Sequence, residues 1–177
     1  MSKLFKFAVF LGVLYGAYLL FLQPEWVSVG SAEEGFTVEF PHNPKRTSFR
    51  QNIPSLGLTT VTNFQYQEGY SGFSATRLTS RAIDQGRVNS RAMEDAAEHM
   101  LTKLYGGRIV SSESGTYRGE PYVEIEMRLD DAGSTVQSRL FVNESGLYFF
   151  TALSHTVTRT IGGQGRFFRS IRFDENG

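Results

Sequence analysis

The feature that most constrains this chain is an apolar run near its N-terminus. Residues Phe7 to Leu22 carry no charge and no strongly polar side chain; Lys3 and Lys6 precede them and Gln23-Pro24-Glu25-Trp26 follows. A bilayer core is about 30 Å thick and takes roughly 20 helical residues to cross. Snorkelling of Lys6 and placement of Trp26 at headgroup level extend the run to that length. The pattern therefore predicts a short N-terminus at 1–6, one transmembrane helix over 7–26, a polar tether over 27–35 and an outer domain over 36–174.

The lysines flank the span on its N-terminal side only, while Glu25, Glu33 and Glu34 follow it. The positive-inside rule then places the N-terminus in the cytoplasm. The expectation is a single-pass protein of the plasma (inner) membrane with a periplasmic C-terminal domain. A cleaved signal peptide is the competing reading, with Gly30 and Ala32 as the small residues of a cleavage site. That site lies far beyond Leu22, which favours a retained anchor. Ala8, Gly12 and Gly16 recur every four residues and share one helix face, where small side chains let two backbones approach in lipid. Tyr15 and Tyr18 place hydroxyls within the apolar span that call for partners on another helix. These five residues are the expected helix-packing interface with other integral membrane subunits.

The rest of the chain is long enough for one ordinary domain. Two of the 18 basic residues precede the span, so 16 remain against 18 acidic ones, a net charge of −2. That balance argues against nucleic acid as a partner. The chain has no cysteine, which excludes disulfides, thiolate metal sites and cysteine nucleophiles. Arginine outnumbers lysine 14 to 4, favouring planar, bidentate contacts.

Phe36-Thr37-Val38-Glu39-Phe40 alternates strictly and predicts a half-buried strand stopped by Pro41. Further strands are expected over 57–66 and 70–79. Between 88 and 105, Met93, Ala96, Ala97, Met100, Leu101 and Leu104 form an apolar helical stripe, with Ser90 as a cap and Gly106-Gly107 as the stop. Turn residues at 130–133 and 143–146 predict three antiparallel strands, 121–129, 134–142 and 147–154. If Leu129 faces Ser134 and Val142 faces Leu147, one face collects Val123, Ile125, Met127, Leu129, Val136, Leu140, Val142, Leu147, Phe149 and Leu153. That face is the expected seat of the helix. On the opposite face Tyr122, Phe141 and Tyr148 form one cross-strand row, and Glu124, Arg139 and Phe150 the next. A second, shorter helix within 156–171 would bury Phe167, Phe168 and Ile171 on those rows. Alternatively the rows are open to a partner. The fold class is thus α+β: an N-terminal transmembrane helix, then an antiparallel sheet flanked by helices in an α/β/α sandwich.

The order F-x-V-x-F-P-x-x-P (Phe36–Pro44), one amphipathic helix, G-x-P-x-x-x-x-E (Gly119, Pro121, Glu126), Gly146-Leu147-Tyr148 and Phe167–Phe173 resembles the PsbP-like superfamily and related bacterial exported domains. The resemblance covers nearly all of 35–174. It implies an α/β/α sandwich and a non-catalytic accessory or assembly role on a large membrane complex, photosystem II being the best-known host. No cofactor-binding position matches, so no cofactor is expected. The anchor departs from the soluble plant members, which leaves a photosystem role open.

No reaction chemistry is legible in the residues. His42, His99 and His155 are far apart in sequence, and Asp130-Asp131 lacks the alternating ligands of a calcium loop. No G-x-S-x-G elbow occurs, and Gly162-Gly163-Gln164-Gly165 lacks the Lys-Ser/Thr of a phosphate loop. Arg166, Arg169 and Arg172, together with Tyr122, Arg139, Phe141, Tyr148 and Phe150, are the candidate partner surface. The arginines suit an acidic protein surface or lipid headgroups, against the plainer reading of a solvated face. The expected protein is not an enzyme but an accessory subunit of a photosynthetic or respiratory membrane complex; the alternative is an anchored ligand-binding or assembly-factor domain.

Overall fold

The alternation at Phe36–Phe40 produces a strand whose Phe36, Val38 and Phe40 are all buried. It belongs to a chain that a computed structural model describes at residues 25–69, 71–88, 90–130, 133–143, 146–155 and 163–173. The strands are β1 (Val27–Ser31), β2 (Phe36–Phe40), β3 (Lys45–Ile53), β4 (Gly57–Glu68), β5 (Ser71–Thr79), β6 (Arg108–Tyr117), β7 (Glu120–Arg128), β8 (Ser134–Asn143), β9 (Gly146–His155) and β10 (Arg172–Phe173). The helices are α1 (Arg81–Asp84), α2 (Ser90–Tyr105) and α3 (Gly163–Ser170). Strands β3-β4-β5-β9-β8-β7-β6 form one antiparallel sheet in that order, and β1-β2-β10 form a small second one.

The expected register holds. Tyr122 pairs with Phe141 and Phe141 with Tyr148; Glu124 pairs with Arg139 and Arg139 with Phe150. Val142 pairs with Leu147, and the Leu129 N–H donates to the Ser134 carbonyl at 3.1 Å. Side-chain period two then sends Val123, Ile125, Met127, Val136, Leu140, Leu147 and Phe149 into one buried cluster, with Leu129, Val142 and Leu153 at its margin. Met93, Ala96, Ala97, Met100 and Leu101 of α2 close that cluster. Leu104 departs from the stripe and is 61 % exposed. Beneath it the sheet presents Ser74, Thr76 and Thr151 beside the single apolar Phe149, so burial there gains little.

The opposite face is covered by α3 and by the small sheet together, not by a helix alone. Phe167 and Phe168 of α3, Phe36, Val38 and Phe40 of β2, and Ile171 bury the second cluster. The molecule therefore has a helix layer, a seven-stranded layer, and a mixed helix-and-strand layer.

Residues 27–35 are not a tether. Val27–Ser31 pairs with β2 from Val27↔Phe40 to Ser31↔Phe36, and Trp26 and Val29 pack on the second core. The small residues that suggest a linker serve a close approach. A Cβ at Gly30, whose φ is +114°, would lie 2.0 Å from the Phe36 carbonyl oxygen. Strands β3 and β6 also go beyond the sequence pattern. They are the two edges of the large sheet and are mostly exposed, so neither shows an apolar alternation.

The expected span and its packing face, Ala8, Gly12, Tyr15, Gly16 and Tyr18, lie outside the described residues. Among those described, no helix is long and apolar enough to cross a membrane.

Candidate partner-binding surface

Register and layer order decide which candidate residues can meet a partner. Phe141, Tyr148 and Phe150 cannot: they are 2 %, 0 % and 0 % exposed. Phe150 lies 5.3 Å edge-on from Phe36, 5.8 Å from Phe141 and 6.5 Å from Phe167, ring centroid to ring centroid. Phe173 packs 5.0 Å from Phe141 and 5.2 Å from Tyr148. These rows are core because Phe173 of β10 meets all three rings, Phe36 of β2 meets Tyr148 and Phe150, and Phe167 of α3 meets Phe150.

Arg139 and Tyr122 occupy the margin of that core. The Arg139 Nε donates to Glu124 Oε2 at 2.7 Å across the β7–β8 pair. Gln137 donates to the other Glu124 oxygen at 2.6 Å, and Gln164 of α3 donates to Gln137 at 2.5 Å. The guanidinium lies 4.8 Å from the Phe168 ring centroid and 5.1 Å from that of Tyr122. With carboxylate and rings both satisfied, Arg139 binds α3 to the sheet rather than offering a free cation.

The three tail arginines divide into two groups. Arg166 donates to Glu39 at 2.7 Å and stacks 4.8 Å over the Trp26 ring, which itself packs edge-on to Phe73 at 6.1 Å. Trp26, expected at headgroup level, is thus folded into the domain. Arg169 and Arg172 are exposed at the other end of α3. There the Tyr117 hydroxyl donates to the Arg169 carbonyl at 2.7 Å, and Arg118 lies 5.4 Å over the Tyr117 ring. Tyr117 and Arg118 are additions to the candidate surface. Their sequence signal is the Arg118-Gly119 pair between two extended segments, a two-residue hairpin turn.

Under the last turn of α2, Ser74, Thr76, Thr151, Leu104 and Tyr105 line a cavity of about 10 Å³, room for one water. Burial pushes the Tyr105 phenol up, against a weaker downward pull from its hydrogen bond with Ser74. Tyr105 therefore stays neutral. Among the described residues, no three His, Cys, Asp or Glu side chains group as metal ligands would.

No protein-family model and no curated protein matches this sequence. Solved structures do. The solution structure of cyanobacterial PsbP (CyanoP) from Synechocystis sp. PCC 6803 superposes with a TM-score of 0.58 at 10 % identity, covering 85 % of this chain and 94 % of that one. The chain has a PsbP-like fold. A Pseudomonas aeruginosa protein of unknown function also matches, at 10 % identity over 75 % of this chain and 85 % of that one; its TM-score of 0.35 carries no argument. At 10 % identity the PsbP likeness concerns architecture: the filled sheet faces and layer order described above, not particular surface side chains.

Proposed function

We propose that this chain is a non-catalytic accessory subunit of a larger membrane complex, photosynthetic or respiratory. The apolar run over residues 7–22 anchors it in the plasma membrane as a helix, and its PsbP-like domain braces neighbouring subunits on the periplasmic side. The observation that carries this reading is the likeness to PsbP across 85 % of the chain, since PsbP-like domains serve as accessory factors. Two features support it. The sheet spends both faces on its own core, one on α2 and one on α3 with β2, so contacts to other proteins fall to edges and corners. The domain also begins at Trp26 and Val27, close behind the apolar run. Residues 23–26 reach at most about 14 Å, which holds the domain against the bilayer.

Within the span, Ala8, Gly12 and Gly16, flanked by Tyr15 and Tyr18, would dock on a helix of another subunit. The test is mild-detergent purification of the full-length protein from its own membrane, followed by native-gel sizing and mass spectrometry. A large stoichiometric assembly that dissociates on Gly12→Leu is the expected result. A wild-type protein of monomer or dimer size would refute the reading.

A further inference from the structure

The β6–β7 hairpin turns on Arg118 and Gly119, since Tyr117 pairs with Glu120. Both central residues have positive φ, 54° and 90°. That is the type I′ pattern, which Asn-Gly fills best. Among the described residues Arg118 is the one non-glycine at positive φ. An arginine there is strained in a way that asparagine or glycine would relieve, and strain retained in this manner points to a use for the side chain.

What the turn holds in place is a guanidinium beside Tyr117, whose hydroxyl is tied to the Arg169 backbone. Arg172 follows on β10, where strand alternation turns it away from the core that takes Phe173. Arg46, Arg139 and Arg166 each have a carboxylate partner. Arg118, Arg169 and Arg172 are exposed and form no ion pair with a described residue. We propose that Tyr117, Arg118, Arg169 and Arg172 form a docking surface for an acidic segment of a partner polypeptide. Arginine forks match carboxylates in pairs, and Tyr and Arg are the side chains that most often dominate binding energy at protein interfaces.

Position favours protein over lipid as the source of the negative charge. The cross-strand row Phe73–Ala152–Gln137–Glu126 begins beside Trp26. The turn at Glu120 lies six residues farther along β7, roughly 20 Å away. If the chain enters the bilayer just before Trp26, this corner lies that far across the sheet from the point of entry. The inference rests on the accessory, membrane-anchored reading.

The test is titration of full-length protein in neutral-detergent micelles with a short polyglutamate peptide. Arg118→Asn is expected to raise the melting temperature, because it relieves the turn, while weakening the peptide by about fivefold. Arg169→Gln should weaken it similarly without the stabilisation. An Arg87→Gln/Arg91→Gln double variant, which removes charge elsewhere, should leave affinity unchanged. Equal binding by Arg118→Asn, an equal loss in the double variant, or displacement of the peptide by short-chain phosphatidylglycerol would each overturn the proposal. Native-gel sizing keeps this separate from the accessory reading. An Arg118→Asn/Arg169→Gln variant that still migrates in the full complex refutes the surface and leaves the subunit standing; a wild-type chain migrating alone refutes the subunit instead.

Discussion

Phe150 is where residue-scale energetics are plainest. It is fully buried and sits among Phe36, Phe141, Phe167 and Phe173, which come from four different strands and helices. Truncation to alanine leaves a cavity that all of these elements line. Phe150→Ala should lower the unfolding free energy by about 3–5 kcal/mol, read from urea denaturation. Had the ring been a surface contact for a partner, the same change would leave stability nearly untouched. Arg166 illustrates the opposite case: its ion pair with Glu39 is 50 % and 36 % exposed on the two sides. An exposed pair of this kind contributes at most about 1 kcal/mol. Arg139 lies between these extremes, since its side chain is 20 % exposed and its charge is shared among Glu124 and several rings.

At the scale of elements, the sequence reveals what is periodic and hides what is defined by position. The α2 stripe and the alternation of β2 were legible because each buries one face and leaves the other more polar. The register of β7, β8 and β9 was legible because the turns at 130–133 and 143–146 align one largely aliphatic face across all three strands, although β9 is buried on both sides. Even the role of α3 followed from Phe167 and Phe168, despite three nearby glycines. Edge strands β3 and β6 carry no such signal, because neither of their faces is fully covered. β1 is concealed for a different reason: Ser28, Gly30 and Ser31 look like linker composition, yet Gly30 is where the chain passes the Phe36 carbonyl. Gly30→Ala should therefore destabilise the domain by about 1–3 kcal/mol, measurable as a lowered denaturation midpoint. The candidate surface was half legible. Arg169 and Arg172 stand out by spacing, whereas Arg118 and Tyr117 matter only because a two-residue turn brings them to the end of α3.

On the scale of the whole molecule, long-range pairing dominates. The large sheet brings β5 beside β9 across an insertion that contains α1, α2 and three strands. Such topologies close large loops before contacts form, so folding belongs to the slow, millisecond-to-second class. Among the described residues both edges of the large sheet are unpaired, and β3 carries Lys45, Arg46 and Arg50, charges of the kind that discourage pairing with another chain.

The stacking of Trp26 between Phe73 and Arg166 has a spectroscopic consequence. It is the protein's single tryptophan, so all indole emission originates at the seam where β1 and α3 meet the large sheet. Because that seam shares the second core with β5 and α3, the emission change in urea should coincide with loss of the far-ultraviolet circular dichroism signal. Separate midpoints would reveal a seam that opens ahead of the sheet. In brominated lipid the same indole should be quenched only weakly, since its ring is wrapped by protein on the domain side. The chain thus carries a built-in optical gauge at the junction between its folded domain and whatever holds it in place.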